Sequence, residues 1–282
     1  MKHNKAWLAA VPMYLFTIFF VAVPLVYVLV LSFLTRDASW GVTNELTLSN
    51  YAKILEPAYA KTFLTSLQVA LLTTVLTALI GYPFGYFMAK LQPNIRNKVM
   101  LLVIVPFWTN ALVRIYGWII LLRSQGILSA LLQSLGLTSE PIGILYTLPA
   151  VLIGTVYALL PFMILSVYSS CLKLDPSLTE AARDLGASPW KAFWTVSFKL
   201  TLPGLLSGFV FVFVPSIGLF FIADLLGGGK LMLIGNLIKN QLTTARNWPF
   251  GAALSVVMMI MTLLIIGIYR RLAKGKDLEG LI

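Results

Sequence analysis

DPSLTEAARDLGASPWKAFWTVSFKLTLPG, residues Asp175 to Gly204, is a long polar interruption in a chain built otherwise of apolar runs. Asp175 or Ser177 can cap a first short helix, Pro176 suits its first turn, and Ser177 with Glu180 has the spacing of a capping box. Leu178, Ala181, Ala182 and Leu185 fall at i, i+3, i+4 and i+7, a single apolar stripe. Gly186 follows where a helix commonly ends on a left-handed residue. Ser188 and Pro189 then open a second helix, with Trp190, Phe193, Trp194 and Ser197 on one face. The spacing predicts a helix–turn–helix whose small, alanine-lined face is built to dock against another surface.

The sequence on either side sets the class. Of 282 residues, 59% are hydrophobic and 11% charged, with a mean hydropathy of +0.89. Soluble domains carry about 25% charged residues, so this is an integral membrane protein. Six apolar segments are long enough to cross about 30 Å of hydrocarbon as helices: residues 7–34, 62–89, 99–122, 144–167, 205–223 and 250–269. Each is apolar all round rather than at every second residue, which points to helices and not to barrel strands. The architecture expected is all-α, one transmembrane domain over residues 1–282, with residues 175–204 as a loop between spans four and five. The first segment is too long for the core of a secretory signal and lacks a small-residue cleavage site before Arg36.

The net charge of +11 follows topology. With six spans, the N-terminus, the 90–98 turn, the 169–203 loop and the C-terminal tail share one side, and they hold 13 of the 21 lysines and arginines. The positive-inside rule places that side, both termini and Asp175–Gly204 in the cytoplasm. The basic excess is therefore no nucleic-acid footprint. Lys2, Lys5 and the interfacial Trp7 hold the first end, and Arg270, Arg271, Lys274 and Lys276 the last.

Several segments are expected to depart from simple spans. Residues 35–61 form an external loop, with a short helix over Leu48–Leu55 capped by Ser49 or Asn50. Gly81, Pro83 and Gly85 mark a break or a close helix contact in span two. Span three carries Pro106, Trp108, Thr109, Asn110 and Arg114. An arginine there faces a water-filled cavity or a partner group, or else snorkels to the outer face. Ile127–Leu135 reads as an amphipathic surface run, and Leu231–Leu242 as a surface or re-entrant helix too short and polar to span.

Chemistry that would make an enzyme does not assemble. One cysteine, Cys171, excludes an internal disulfide, and His3 as sole histidine excludes a histidine-based metal site or triad. Gly227–Lys230 fails the phosphate-loop pattern twice, with Asp224 at the first glycine position and Leu231 after the lysine. No ATP site is visible. Asp224 is the only acid near a span, which weighs against a stand-alone proton-coupled carrier.

Glu180-Ala181-Ala182, Gly186 after three further residues, and then Leu200, Leu202 and Pro203 resemble the EAA motif of ABC importer permeases. Together with SFLTRD, GYPF, PFWTNALVRIYGW, DLLGG and RNWPFG, the likeness extends over nearly the whole chain to the B-type permease subunit of spermidine/putrescine importers. Two positions depart from that pattern: Asn247 stands where an aspartate is expected, and Phe221 where a tyrosine is. The resemblance implies a type I importer permease in a bacterial inner membrane. It also implies a second similar permease, a cytoplasmic ATPase dimer that binds ATP and magnesium, and a periplasmic polyamine-binding protein. Glu180, Ala181, Ala182, Arg183, Asp184, Gly186, Leu202 and Pro203 would then couple to the ATPase, the alanines permitting close approach and the charges contacting a groove rim. A polycationic substrate calls for carboxylates and aromatic faces. Asp224 with Phe220 and Phe221, and Trp108, Asn110, Arg114, Tyr116 and Trp248, are the pathway candidates. An importer of the same architecture for an anion or metal chelate is the alternative.

Overall fold

The computed structural model describes residues 11–37 and 40–273. His3, Trp7 and the terminal lysines at 2, 5, 274 and 276 lie outside the described residues. In hydrocarbon every backbone polar group must be satisfied internally, so long apolar runs form helices. Among the described residues six segments are long and apolar enough to cross a membrane: Val11–Ser32, Pro57–Lys90, Ala111–Ser134, Leu148–Leu172, Pro189–Gly218 and Trp248–Tyr269. The described residues divide into two compact units, one of residues 11–37, 40–63 and 236–263, the other of residues 64–235 and 264–273.

In the first unit, helix α1 (Val11–Ser32) leads into a two-stranded antiparallel hairpin, β1 (Leu34–Arg36) and β2 (Val42–Leu46). The expected loop is thus partly sheet, and the facing hydroxyls of Thr35 and Thr43 hydrogen-bond across it. Helix α2 (Ser49–Ile54) follows, but neither Ser49 nor Asn50 caps it; its N-cap is Leu48. Asn50 instead donates to the carbonyls of Ser32 (3.0 Å) and Leu34 (2.9 Å), pinning α2 to the end of α1. Tyr51 adds a 2.6 Å hydrogen bond to Ser32 Oγ. Helix α3 (Pro57–Lys90) starts in this unit, and its Tyr59 packs edge-on against Phe250.

The second unit holds most of the spans. α3 runs unbroken through Pro83, so the glycines beside it serve close contact and not a kink. A Cβ on Gly85 would lie 2.8 Å from the carbonyl oxygen of Ile164. The expected third span, 99–122, is not one helix. Helix α4 (Pro93–Ile104) passes into a 3-10 turn at Val105–Trp108, where Pro106 removes a donor, and helix α5 (Ala111–Leu122) restarts after Asn110. Helix α6 (Ile127–Ser134) is the expected amphipathic run. Helix α7 (Leu148–Leu172) is followed by α8 (Pro176–Asp184) and α9 (Pro189–Gly218). The helix that contains the fifth span therefore begins at Pro189 rather than at Leu205, and the second half of the polar stretch is its extension, with a π-turn at Phe193–Ser197. It also ends early: Leu219 interrupts it, and α10 (Phe220–Gly227) carries Asp224 as a separate helix. Helices α11 (Ile234–Thr243) and α12 (Trp248–Ala273), which lie largely in the first unit, are the last elements of the described residues. The start of α11 is buried, and the Ile234 amide donates to the buried Ser66 Oγ at 2.8 Å.

α7 and α9 are the most extensively packed pair, brought together by small residues. A Cβ on Gly204 would fall 2.3 Å from Ser170 Cβ, and Ser166 Oγ donates to the Gly204 carbonyl at 2.8 Å. Met163, Val167, Val212, Tyr82 and Tyr86 fill the core around that pair. A second core, with Val69, Ile115, Ile119, Ile222 and Leu226, fixes α10 against α5 and α7.

Candidate functional site

The turn between α8 and α9 is built from local chemistry. Asp175 is the N-cap of α8, its Oδ1 accepting from the Ser177 amide at 2.9 Å. That backbone hydrogen bond, reinforced by the Ser177 side chain, holds the Asp175 carboxyl below the usual carboxylate range. The Ser177–Glu180 capping box does not form, because Ser177 already lies inside the helix. At the far end Gly186 takes φ +87°. Its amide donates to Arg183 O (2.9 Å) and that of Ala187 to Ala182 O (3.1 Å), the two bonds of a Schellman stop. Ser188 then caps α9 by accepting from the Lys191 amide.

The turn faces two ways. Thr179 and Ser197 share a 3.2 Å hydrogen bond that ties α8 to α9. Leu178 and Leu185 point outward, Leu185 at 90% exposure, so the leucines of the α8 stripe are uncovered among the described residues. Ala181 is exposed and Ala182 half-buried. Glu180, Arg183 and Asp184, with Ala187 and Pro189, line a shallow concavity of about 340 Å³. Leu202 and Pro203 are not part of this turn; they lie half-buried inside α9, next to the Gly204 contact with α7. Between turn and span, Trp190, Phe193, Trp194 and Phe198 stack together, and Phe193 and Phe198 meet Tyr82. Tyr82 OH and the buried Thr201 Oγ1 share a 2.8 Å hydrogen bond. α8 is thus joined to α9, and α9 to α3 and α7, through packed contacts and hydrogen bonds.

Near the opposite end of α7 lies a cavity of about 470 Å³ lined by Tyr116, Ile119, Ile120, Arg123, Tyr146, Asp224, Leu225 and Gly228. The structure brings Asp224 and Tyr116 together here. It adds Arg123 and Tyr146, which sequence reading missed. The glycine run was a visible signal for a left-handed turn at Gly228; nothing local marks Tyr146, whose φ of +65° is unusual for an aromatic residue. Phe220 opens α10, and Phe221 packs on the core beside Ile222 rather than lining the cavity.

Trp108, Asn110 and Arg114 gather instead at the break between α4 and α5. Asn110 Oδ1 caps α5 through the Leu112 amide (2.8 Å), and Trp108 is 79% exposed. The Arg114 guanidinium lies 4.5 Å over the Phe107 ring and 5.7 Å from that of Tyr157. Its Nε and Nη1 are buried without a hydrogen-bond partner. In the first unit, Trp248 opens α12 after Asn247, whose Oδ1 accepts from the Phe250 amide at 3.2 Å. Asparagine caps a helix as well as aspartate does, so Asn247 keeps the cap and drops the charge.

A multi-pass helical chain that carries a capped, outward-facing turn at one end of α7 and a carboxylate-bearing cavity near the other has the plan of a membrane transport permease. Residues 81–277 match the family model described as "Binding-protein-dependent transport system inner membrane component", and the chain belongs to that family. It is a multi-pass inner-membrane protein. It is 47% identical to the spermidine/putrescine transport system permease protein PotB of Haemophilus influenzae, over 91% of this chain and 90% of that protein. The corresponding protein of Escherichia coli K12 is 46% identical over 91% of this chain and 94% of its own length. A solved bacterial alginate ABC transporter, bound to a pentasaccharide-loaded periplasmic protein, contains a chain of the same fold, with TM-score 0.77 and 14% identity over 96% of this chain and 95% of that one.

Proposed function

We propose that this chain is one of two permease subunits of an ATP-driven importer for polyamines, with both termini in the cytoplasm. What carries the reading is the likeness to spermidine/putrescine permeases along nearly the entire chain. The geometry of the cavity supports it. Asp224, with the phenol rings of Tyr116 and Tyr146, offers a carboxylate and aromatic faces to an alkylammonium group in one cavity. Arg123 stands exposed at the same cavity, where solvent screens its charge.

The energy comes from another chain. In this reading the outward stripe of α8 seats in a groove of a cytoplasmic ATPase, with Glu180, Arg183 and Asp184 at the rim. ATP and magnesium bind there, and closure of the ATPase dimer moves α8 together with α7 and α9. That is a ligand acting through different contacts in two global states, as coupling requires. A periplasmic binding protein delivers the polyamine, and the second permease completes the pathway.

The test is uptake of labelled spermidine into proteoliposomes holding both permeases and the ATPase, with loaded binding protein outside. Uptake that requires ATP, and that falls at least tenfold in Asp224→Asn while the complex still assembles, is the expected result. Uptake by this chain alone, without ATPase, refutes the importer reading. Import of sulfate or molybdate in place of the amine refutes the substrate.

A further inference from the structure

The loop that precedes α7 is tied to two helix ends at once. The Leu145 amide donates to Leu122 O at the end of α5 (3.1 Å), and the Tyr146 amide to Leu226 O near the end of α10 (2.8 Å). Held by these bonds, Tyr146 adopts φ +65°, a region that a bulky residue occupies only where its surroundings enforce it. One edge of its ring lies close against Gly228, itself left-handed at φ +58°; a Cβ there would fall 2.3 Å from Tyr146 Cδ1 and 2.7 Å from Cγ. Two left-handed residues, one aromatic and one without a side chain, therefore back onto each other in the wall of the cavity that holds Asp224 and Tyr116.

Backbone of this kind places a ring where a relaxed loop would not. We propose that Tyr146, seated on Gly228, is the specificity-determining residue of the Asp224 cavity: with Tyr116 it forms a fixed aromatic sleeve for the methylene chain of a linear amine whose ammonium end meets Asp224. The inference rests on the polyamine reading and adds the residue that measures the substrate. The ring face supplies the contact, through dispersion with the methylenes and attraction for the ammonium, and the hydroxyl is not required. On the Gly228 side the ring has no room to shift, since it already lies where a side chain there would be. Spermidine, longer than putrescine and with one ammonium more, touches more of the sleeve.

The experiment compares wild type, Tyr146→Phe, Tyr146→Leu and Gly228→Ala in the complete reconstituted complex, each given saturating binding protein loaded with spermidine or with putrescine. The readout is the ratio of the two initial uptake rates, which a general loss of folding or coupling does not move. Tyr146→Phe keeps the ratio within twofold of wild type, whereas Tyr146→Leu lowers it at least fivefold against spermidine. Gly228→Ala shifts it in the same direction, by displacing the ring. A Tyr146→Leu complex that slows both amines equally, or neither, overturns the inference and leaves the polyamine reading standing. A wild-type complex that imports neither amine overturns that reading, and this one with it.

Discussion

Gly186 offers a clean test of the turn, because geometry removes the usual confusion between conformation and space. Its φ is +87°, and a Cβ built on it meets nothing within 4 Å. Any cost of replacing it is therefore backbone cost. Holding an L-residue with a Cβ in the left-handed region costs roughly 1–2 kcal/mol, a factor of about 5–30 in a two-state population. Gly186→Ala should lower the fraction of chains that keep the Schellman stop by up to this factor. α8 would then leave the angle set by the bonds from Gly186 to Arg183 and from Ala187 to Ala182. Asparagine, which tolerates the left-handed region better than other side chains, should fall between glycine and alanine, and β-branched valine should be worst. The assay titrates ATPase onto reconstituted permease pairs and follows binding-protein-stimulated ATP hydrolysis. The expected order is Gly, Asn, Ala, Val, with membrane insertion unchanged. Equal coupling in all four would refute the conformational argument. A rank order that follows side-chain volume, with asparagine worse than alanine, would show that something seats closely on Gly186 in the complex.

Three further outcomes follow from the same contacts. Glu180→Lys reverses a charge at the rim of the α8 concavity, and should abolish ATP-driven uptake while leaving the protein in the membrane; uptake at wild-type rate would remove α8 from the coupling path. Gly204→Val drives side-chain atoms into Ser170 and the Ser166 carbonyl. Overpacking of this kind costs about 1–3 kcal/mol, so the variant should lose thermal stability in detergent, measurable as a lower midpoint of aggregation, and an unchanged midpoint would contradict the α7–α9 packing. Asp175 titrates below the usual carboxylate range when folded. Its stabilisation of α8 is accordingly present above the unfolded value of about 3.9 and is lost as pH falls through the lower folded value. Hydrogen exchange of the first-turn amides should show that acid step in wild type and not in Asp175→Asn, where the cap persists without a titrating group.

Much of this protein was legible locally. The apolar runs, the cap at Ser188 and the stop at Gly186 are properties of a few neighbouring residues, and the structure keeps them. The outward stripe of α8 was legible too, since Leu178 and Leu185 follow the helical period whatever lies beside them. What misled was reading boundaries from polarity. The helix start at Ser188 and Pro189 is legible, but the lower apolarity of residues 189–204 hides that this helix runs on into span five; Phe193 packs on Tyr82 and Tyr86 and Phe198 on Tyr82, and the helix continues. Residues 99–122 look like a single span because they are apolar, but Pro106 divides them.

Sequence alone determined the class, the number of spans and the polar turn, because hydrophobicity, charge count and helix punctuation act over a few residues. Tertiary structure decided which of the candidate side chains share a space. It took Arg114 to the break beside Phe107, set Phe221 on the core, turned Asn247 into a helix cap, and brought Tyr146 to Asp224 from nearly eighty positions away. The physical reason is that such placements depend on hydrogen bonds and packing between elements distant in the chain, as where Tyr146 is held by Leu226 and Gly228, and no local pattern encodes them.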